Sequence, residues 1–388
     1  MRFILYTHSI ISDWNHGNAH FQRGVLRELK SRGHDVLALE PENGWSRQNL
    51  LREQGPEAAA RLAREYPDLS STLYDDAFDH EALLADADVV IVHEWTAPEL
   101  VARIGRARRQ GAPFTLLFHD THHRAVSAQR EIADLILEDY DAVLAFGEAL
   151  RERYVHAGWG RRVFTWHEAA DTSRFLPPDR LDEAPARTEQ LIWIGNWGDG
   201  ERAQEMSSFL IEPARNLALS GNVHGVRYPR AALDALGRTR LTYRGWLANH
   251  DVPAAFARHR ATLHVPRRPY VESLPGIPTI RVFEALACGI PLVCAPWEDR
   301  EGLFRPGRDY LVAPDGARME RHLRAVLDDP DLAASLARSG LETIRARHTC
   351  RHRVDELLEI VAAVSGRPLE PAHRTAPGGE PSVKEATR

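Results

Sequence analysis

The sequence predicts an α/β protein in which two doubly wound parallel sheets face each other across a cleft. Short apolar runs alternate with amphipathic helical stretches from end to end. Such alternation implies right-handed crossovers and parallel sheets that helices cover on both faces. A proline-rich, charged segment over residues 172–189 interrupts the pattern once, which indicates two units rather than one.

In the first unit, each predicted strand leads towards a helix with a recognisable end. Gly33, Gly111 and Gly158 close three of these helices, and Asp79 caps another. The predicted strands are residues 2–7, 35–39, 89–93, 114–118, 142–146 and 163–166, and the predicted helices are residues 19–32, 80–87, 98–110 and 148–157.

The alternation restarts after the interruption. The predicted strands there are residues 191–195, 222–226, 241–243, 262–265, 292–295 and 310–312, followed by helices over residues 316–328, 330–339 and 350–365. We therefore expect an N-terminal domain over residues 1–171, a linker over 172–189, a second domain over 190–348, a C-terminal helix over 349–365 that packs back on the first domain, and a disordered tail over 366–388.

The composition of the chain argues against several functions. The 49 Lys and Arg residues against 55 Asp and Glu give a net charge of −6, which disfavours a general electrostatic grip on nucleic acid or anionic lipid. Three cysteines without a CxxC pair form neither a disulfide framework nor a structural zinc site. The N-terminal run MRFILYTHSII lacks a cleavage site, and no apolar run reaches the ~18 residues of a membrane span. We expect a cytoplasmic protein without a membrane segment or a nucleic-acid partner.

The loop after the first predicted strand reads HSIISDWNHGNAHFQRG. His16, Gly17 and Asn18 form a turn directly before the first helix, whose free backbone N–H groups suit an anionic or hydroxyl-rich ligand on the acceptor side of the cleft. His20 lies in the first helical turn and is a candidate acid or base. A capping turn with solvated histidines is the alternative interpretation.

A second loop, LLFHDTHHRA, follows a strand that is predicted to end near Phe118. His119 and Asp120 then lie at the carboxyl end of that strand, where a histidine can exchange protons near neutral pH. A zinc site that uses His119, Asp120 and His122 is the competing interpretation, although the sequence contains no second ligand cluster.

Two stretches of the second half predict a phosphate site. In QLIWIGNWGDGERAQE a strand enters a glycine-rich turn, and Arg202 follows it, where a guanidinium can clamp a diphosphate. In RPYVESLPGIPTIRVFEALACGIPLVCAPW a helix begins near Thr279 and carries Glu284. The helix N-terminus offers backbone amides to phosphates, and the carboxylate one turn further in can accept hydrogen bonds from a ribose diol.

The strings HGNAHFQRGVLRELKSRGHDV, WIGNWGDGER and FEALACGIPLV together resemble the GT-B glycosyltransferases of group 1, which are family 4-like, and within them the branch typified by the CgeB spore-maturation proteins. The resemblance covers the chain to about Ser365. Its most specific part is FEALACGIPLV, which matches the string E-A-x-A-x-G-x-P of that family. The resemblance implies a GT-B fold of two Rossmann-like domains.

The resemblance also implies the activity of a hexosyltransferase. We expect it to need no metal or other cofactor, because arginines and helix N-termini can neutralise the departing diphosphate. Such an enzyme moves a sugar from a nucleotide-diphosphate donor, with UDP the favoured nucleotide, to an acceptor. The acceptor stays unidentified and is a glycan, a small molecule or a protein. The donor base, the sugar, the stereochemistry of transfer and the oligomeric state stay open.

Matching positions take roles from the family. Glu284 would bind the donor ribose, and Arg281 would meet the diphosphate. Arg202 stands one residue beyond the lysine of the family and is expected, with Arg281, to neutralise the leaving diphosphate. The remaining donor residues are Gly195 and Asn196 in the donor pocket, Thr279 and Ile280 at the diphosphate, and Arg227, Tyr228, Trp246 and Leu247 at the nucleobase. If the reaction inverts, the base that activates the acceptor is His20, or His119 with Asp120. If it retains, His119 positions the sugar.

The sequence departs from the family in two places. The paired-glutamate motif E-x7-E is incomplete, because Gly276 stands where its first glutamate belongs, and Asn196 stands where the family has an arginine. The alternatives are therefore an epimerase or hydrolase of nucleotide sugars, or a catalytically silent protein that binds them. An oxidoreductase is disfavoured because neither unit opens with GxGxxG.

Overall fold

Parallel strand pairing organises the chain into two sheets. The computed structural model describes residues 1–181, 187–198 and 200–366. The first sheet contains β1 (Arg2–Tyr6), β2 (Asp35–Pro41), β3 (Ser71–Tyr74), β4 (Val89–His93), β5 (Thr115–Asp120), β6 (Ala142–Ala145) and β7 (Val163–Thr165). The second sheet contains β8 (Glu189–Ile194), β9 (Ser220–His224), β10 (Arg240–Gly245), β11 (His259–His264), β12 (Leu292–Cys294) and β13 (Leu311–Val312).

Helices cover both sheets. Those of the first half are α1 (Ala19–Ser31), α2 (Trp45–Gln54), α3 (Pro56–Glu65), α4 (His80–Leu84), α5 (Pro98–Arg109), α6 (Arg124–Ser127), α7 (Gln129–Ala133) and α8 (Glu148–Ala157). Those of the second half are α9 (Ala203–Met206), α10 (Glu212–Asn216), α11 (Arg230–Leu236), α12 (Val252–Ala257), α13 (Arg268–Glu272), α14 (Ile280–Ala287), α15 (Gly316–Asp328), α16 (Pro330–Arg347) and α17 (Cys350–Ser365).

The strand order in the first sheet is β3-β2-β1-β4-β5-β6-β7, and in the second it is β10-β9-β8-β11-β12-β13. Neighbouring strands pair in parallel throughout the described residues. In both sheets the order reverses beside the first strand, and the crevice at such a reversal is where open α/β sheets bind ligands. The predicted α/β class with two doubly wound sheets is confirmed.

Most predicted elements occur where the sequence places them. Val89–His93 forms β4 with every residue buried, and Asp79 caps α4 by accepting a hydrogen bond from the Ala82 N–H at 3.0 Å. Residues 71–74 form a strand and residues 45–65 two helices that the sequence analysis does not predict. Residues 182–186 of the expected linker and residues 367–388 of the expected tail lie outside the described residues.

The last helix, α17, packs against α1 of the first sheet. A Cβ atom at Gly24 on α1 would lie 2.3 Å from Cys350 Sγ and 2.9 Å from Asp171 Cβ, so only glycine fits this contact. Trp166, which follows β7, donates from Nε1 to the Arg353 carbonyl at 2.8 Å. Among the described residues, no helix has both the length and the hydropathy to cross a bilayer.

Replacement of Gly24 by alanine should destabilise the protein, because the new methyl group overlaps buried atoms of α17. We expect Gly24→Ala to lower the free energy of unfolding by about 1–3 kcal/mol in a urea titration. Gly237→Ala is the matched control, since its Cβ would meet no atom closer than 3.4 Å and should change the stability by less than about 0.5 kcal/mol. Equal stability of the two variants would contradict the packing of α17 on α1.

Candidate active site

A cavity of about 680 Å³ lies between the carboxyl ends of the two sheets. The first sheet contributes the loop after β1, with residues 15–18, and the loop after β5, with residues 121–123. The second sheet contributes residues 194–196 at the end of β8 and residues 279–281 at the start of α14. The predicted residues that line it are His16, Gly17, Asn18, Gly195, Asn196, Arg202, Arg227, Thr279, Ile280 and Arg281.

The N-termini of α1 and α14 converge on this cavity. The loop before α1 approaches α14 so closely that a Cβ atom at Gly17 would lie 3.0 Å from Ile280 Cγ2. The N-cap residue of α14, Thr279, does not cap the helix with its side chain, because its hydroxyl is 3.1 Å from His264 Nε2. The first turn of α14 therefore presents backbone N–H groups, and the positive end of the helix dipole, to an anion.

Three arginines of the second domain place positive charge on the cavity wall that the first turn of α14 forms. Arg202 donates from Nη1 to the Val265 carbonyl at 2.6 Å, and its burial lowers its pKa to about 10, so it keeps its charge at neutral pH. Arg267 donates from Nη1 to Glu201 Oε2 at 3.0 Å. Arg281, whose side chain is 17% exposed, forms an ion pair with Glu284 one helical turn further on. This wall suits a diphosphate.

Glu284 itself does not reach the cavity, in contrast to the sequence-based expectation. Its side chain is fully buried, where Oε1 accepts a hydrogen bond from Asn249 Nδ2 at 2.7 Å and Oε2 pairs with Arg281. Burial alone would raise the pKa of Glu284, but Arg281, His20 and Asn249 together lower it, so the carboxylate stays ionised. The expected direct contact between Glu284 and a donor ribose is therefore corrected: the carboxylate holds Arg281 instead.

His20 is also buried, although it lies in the first turn of α1 as predicted. The backbone N–H of Asp171 donates to His20 Nε2 at 2.9 Å, which leaves the ring proton on Nδ1. Nδ1 lies 3.2 Å from Glu284 Oε1, so His20 joins the first domain to the second. The expectation that His20 acts as an acid or base on a bound substrate is corrected, because its ring does not line the cavity.

His119 and Asp120 belong to the sheet rather than to a loop, because β5 runs two residues beyond its predicted end at Phe118. The ring of His119 packs 4.8 Å from that of Trp166, and burial lowers its pKa to about 3. Asp120 accepts hydrogen bonds from the Tyr154 hydroxyl at 2.6 Å and from the His122 backbone. Neither lines the cavity, so their predicted catalytic roles are corrected. Within the described residues, no cluster of three or more His, Cys, Asp or Glu could hold a metal ion.

Of the four residues predicted at the nucleobase, Arg227 alone lines the cavity. Tyr228 and Trp246 line a second recess of about 590 Å³, which shares Trp45 and Arg227 with the cavity. The Tyr228 hydroxyl donates to the Gly195 carbonyl at 2.9 Å, and Trp246 Nε1 donates to Asp13 Oδ1 at 3.2 Å. Leu247 packs on the main hydrophobic core. These three side chains lie outside the cavity lining, and their place at a nucleobase stays a prediction.

Comparisons with known proteins bear on the family and on the fold. A family model described as a glycosyl transferase 4-like domain matches residues 17–165, and a model described as glycosyl transferase-like matches residues 202–359. The chain carries two glycosyltransferase domains. No protein of curated function matches the sequence.

Solved structures show that the fold of this glycosyltransferase is GT-B. Sucrose-phosphate synthase from Thermosynechococcus elongatus is 14% identical with a TM-score of 0.66, and the match covers 95% of this chain and 100% of that one. Anabaena HepE in complex with UDP and glucose is 14% identical with a TM-score of 0.62, over 94% and 100% of the two chains. An α-glucosyltransferase in complex with UDP and a 13-mer DNA is 11% identical with a TM-score of 0.67, over 93% and 99%.

Sequence reasoning missed the carboxyl groups of Glu168 and Glu201 and the guanidinium of Arg267 on the cavity wall of the glycosyltransferase. Glu168 lies three residues beyond β7, is 5% exposed, and lines the cavity. Its Oε1 accepts a hydrogen bond from Asn18 Nδ2 at 2.8 Å, and the Ile280 backbone N–H also donates to the carboxylate. Burial, together with the negative charge of Glu284, raises the pKa of Glu168 to about 8. Its position at the carboxyl end of a strand is the signal that could have found it.

Breaking the buried ion pair between Arg281 and Glu284 should destabilise the protein. We expect Glu284→Gln to lower the free energy of unfolding by about 3–5 kcal/mol in a urea titration, because Arg281 then lacks its anionic partner. The control is Glu81→Gln, which removes an ion pair of 2.8 Å between exposed side chains and should change the stability by about 0–1 kcal/mol. Similar losses in both variants would show that the Glu284 carboxylate is not buried as described.

The pKa of Glu168 predicts a pH-dependent stability difference. In the native state the Glu168 carboxyl keeps its proton up to about pH 8, whereas the ordinary pKa of a glutamate is 4.5. Ionisation of this carboxyl therefore destabilises the native state relative to the unfolded state as the pH rises. Glu168→Gln should therefore gain stability over the wild type between pH 5 and pH 9, on the order of 1–4 kcal/mol, in unfolding titrations. Glu57→Gln, at an exposed side chain, should show no such trend. A difference between Glu168→Gln and wild type that does not vary with pH would contradict the assignment.

Proposed function

We propose that this glycosyltransferase transfers a hexose from a nucleotide-diphosphate donor to an acceptor hydroxyl without requiring a metal ion. The observation that carries the proposal is the convergence of Arg202, Arg267 and Arg281 with the N-terminus of α14 on one wall of the cavity. Charge develops on the diphosphate as it leaves, and fixed cations and backbone dipoles lower the energy of that charge. UDP is the favoured nucleotide, supported by the UDP bound in two structural neighbours.

The Glu168 carboxyl supports the diphosphate in this proposal. It lies between the loop before α1 and the first turn of α14, bonded to Asn18 and Ile280. With a pKa of about 8, it is a neutral acid at pH 7 and can donate its O–H to a diphosphate oxygen. An ionised carboxylate at this position would repel the same oxygen. No proton transfer to the sugar is assigned to Glu168.

We place the protein in the CgeB-like branch and in the cytoplasm, without a nucleic-acid partner. The branch assignment is supported by the strings WIGNWGDGER and FEALACGIPLV. The cytoplasmic assignment is supported by three buried cysteines that remain thiols. The net charge of −6 disfavours a nucleic-acid partner.

Two measurements test the function. A thermal-shift panel of UDP-, GDP- and dTDP-sugars should show stabilisation by one donor series, since a ligand that binds the native state alone raises its melting temperature. Product analysis with that donor, in EDTA, should then show the sugar on an acceptor. Free epimerised nucleotide sugar, hydrolysis in the presence of every acceptor tried, or activity lost with EDTA would each contradict the corresponding part of the proposal.

Substitution of Arg281 tests the diphosphate wall. Arg281→Lys keeps the positive charge beside Glu284 but loses the two-pronged guanidinium, so we expect the dissociation constant for UDP in calorimetry to rise about 10- to 100-fold. The affinity for UMP, which lacks the second phosphate, should change less. Arg244→Lys, outside the cavity lining, is the control and should leave UDP binding unchanged. Unchanged UDP affinity in Arg281→Lys would contradict the site.

A further inference from the structure

Aromatic rings line the wall of the cavity that the first domain forms, in the order of its strands. Trp45, His8, Trp95 and His122 follow β2, β1, β4 and β5, which are neighbours in that order in the sheet. The centroids of successive rings are 6.4, 5.8 and 5.4 Å apart. We call these four rings the aromatic strip. Its spacing follows from the strand spacing of the sheet, about 4.8 Å.

The two tryptophans of the strip are unusually exposed. Trp45 is 44% and Trp95 is 42% exposed. The other large hydrophobic residues that are exposed in the described part of the chain carry no aromatic ring; they are Met1, Ile136, Val155 and Val271. An indole that is partly exposed to water forfeits part of the free energy that full burial would give, so two such rings on one cavity wall indicate a ligand that covers them.

Contacts with neighbouring side chains hold both indoles in place. The guanidinium of Arg124 lies 4.1 Å from the ring of Trp95, and Arg124 is itself paired with Glu94 at 3.2 Å. The ring of Trp45 packs edge-on against that of Trp14 at 4.9 Å. The strip is therefore rigid before a ligand arrives, which reduces the entropy lost on binding.

The aromatic strip carries no charge near pH 7. Burial and the nearby Arg124 lower the pKa of His8 to about 4, and burial lowers that of His122 as well, so both imidazoles are neutral. Neutral imidazoles offer one donor and one acceptor each to hydroxyl groups. Two cations lie next to the strip. Arg124 of the first domain is occupied by Glu94 and Glu131, and Arg227 of the second domain lies over the ring of Trp45 at one end of the strip, 5.8 Å from the ring centroid. Such a surface matches a neutral ligand with flat apolar faces and hydroxyl edges rather than a polyanion.

We propose that the aromatic strip binds the acceptor, and that the acceptor is a neutral oligosaccharide. The apolar faces of successive sugar rings stack on Trp45 and Trp95, while His8 and His122 bond to hydroxyl groups between them. This inference rests on the proposed glycosyl transfer and names its acceptor class. The open, one-sided exposure of the indoles favours a sugar chain over an aromatic aglycone, which would require an enclosed slot.

The test measures binding of defined probes to the full-length protein by tryptophan fluorescence, with UDP present. The probes are neutral gluco-, malto- and chito-oligosaccharides of one to four units, a 13-mer single-stranded DNA and a flavonoid. We expect at least one oligosaccharide series to bind, with affinity rising about tenfold or more from one unit to three. The proposal is overturned if no neutral oligosaccharide series binds, or if the DNA or the flavonoid binds more tightly than the oligosaccharides.

Substitutions of the two tryptophans test whether the oligosaccharide binds at the aromatic strip. Trp95→Ala should raise the dissociation constant for the tetrasaccharide about tenfold, and Trp95→Phe, which keeps a flat ring, should restore most of the affinity. Trp45→Ala and Trp45→Phe should behave in the same way. Because these variants also remove a fluorophore, calorimetry is used for them. Ile136→Ala, which removes an exposed side chain outside the cavity, is the control.

The two proposals fail in distinguishable ways. Wild-type affinity for the tetrasaccharide in both alanine variants would overturn the aromatic strip as acceptor site, even if UDP still binds. If the wild type binds none of the UDP-, GDP- and dTDP-sugars, the proposed function is overturned instead, whatever the oligosaccharides do.

Discussion

The buried carboxylate of Glu284 is the constraint on which the site depends. It is an ionised group inside the core, so it needs partners, and the chain supplies Arg281 from the same helix, Asn249 from the loop after β10 and His20 from the first domain. One interaction thus fixes the guanidinium that faces the cavity and the position of α1 relative to α14. Because removing one member leaves a buried charge unpaired, geometry and stability are coupled at this point.

Parallel sheets explain why the cavity lies where it does. Each sheet directs the carboxyl ends of its strands, and the N-termini of the helices that follow, towards the opposite sheet. Backbone N–H groups of α14 then face the loop before α1 across the cavity, where Glu168 lies between them. The two walls differ in chemistry: the second domain offers arginines and helix dipoles, whereas the first offers uncharged aromatic rings. This difference alone would favour binding of a charged donor at the wall of the second domain and of a neutral acceptor at the wall of the first.

Much of the fold could be predicted from the sequence because it depends on local patterns. The apolar run at β4 and the helical period of α17 give those elements with their observed bounds, and Gly158 and Asp79 mark helix ends. The short strand β3 was missed because its four residues are half-buried and show no clear alternation. The end of β5 was missed because His119 and Asp120 are polar, although tertiary packing buries both.

The site was harder to predict, for a physical reason. Sequence spacing places Glu284 and Arg281 one turn apart, but it does not say which of the two side chains faces the cavity; the partners His20 and Asn249, distant in sequence, decide that. Similarly, Glu168 has no motif around it, and its raised pKa arises from burial and from the negative charge of Glu284, which outweigh the hydrogen bonds from Asn18 and Ile280. Conversely, the glycine-rich turn at Gly195 and the helix start at Thr279 were recognisable because backbone approach to a ligand needs those residue types locally.

We infer that the carboxylate of Glu284 serves the donor through Arg281 and not by direct contact. A crystal structure of the protein with UDP distinguishes the two arrangements. We expect the diphosphate oxygens to lie within hydrogen-bond distance of Arg281 and of the first backbone N–H groups of α14, while Glu284 stays bonded to Asn249 and His20. A structure in which Glu284 has left these partners and bonds to the ribose hydroxyls, or in which the diphosphate lies away from Arg281, would contradict it.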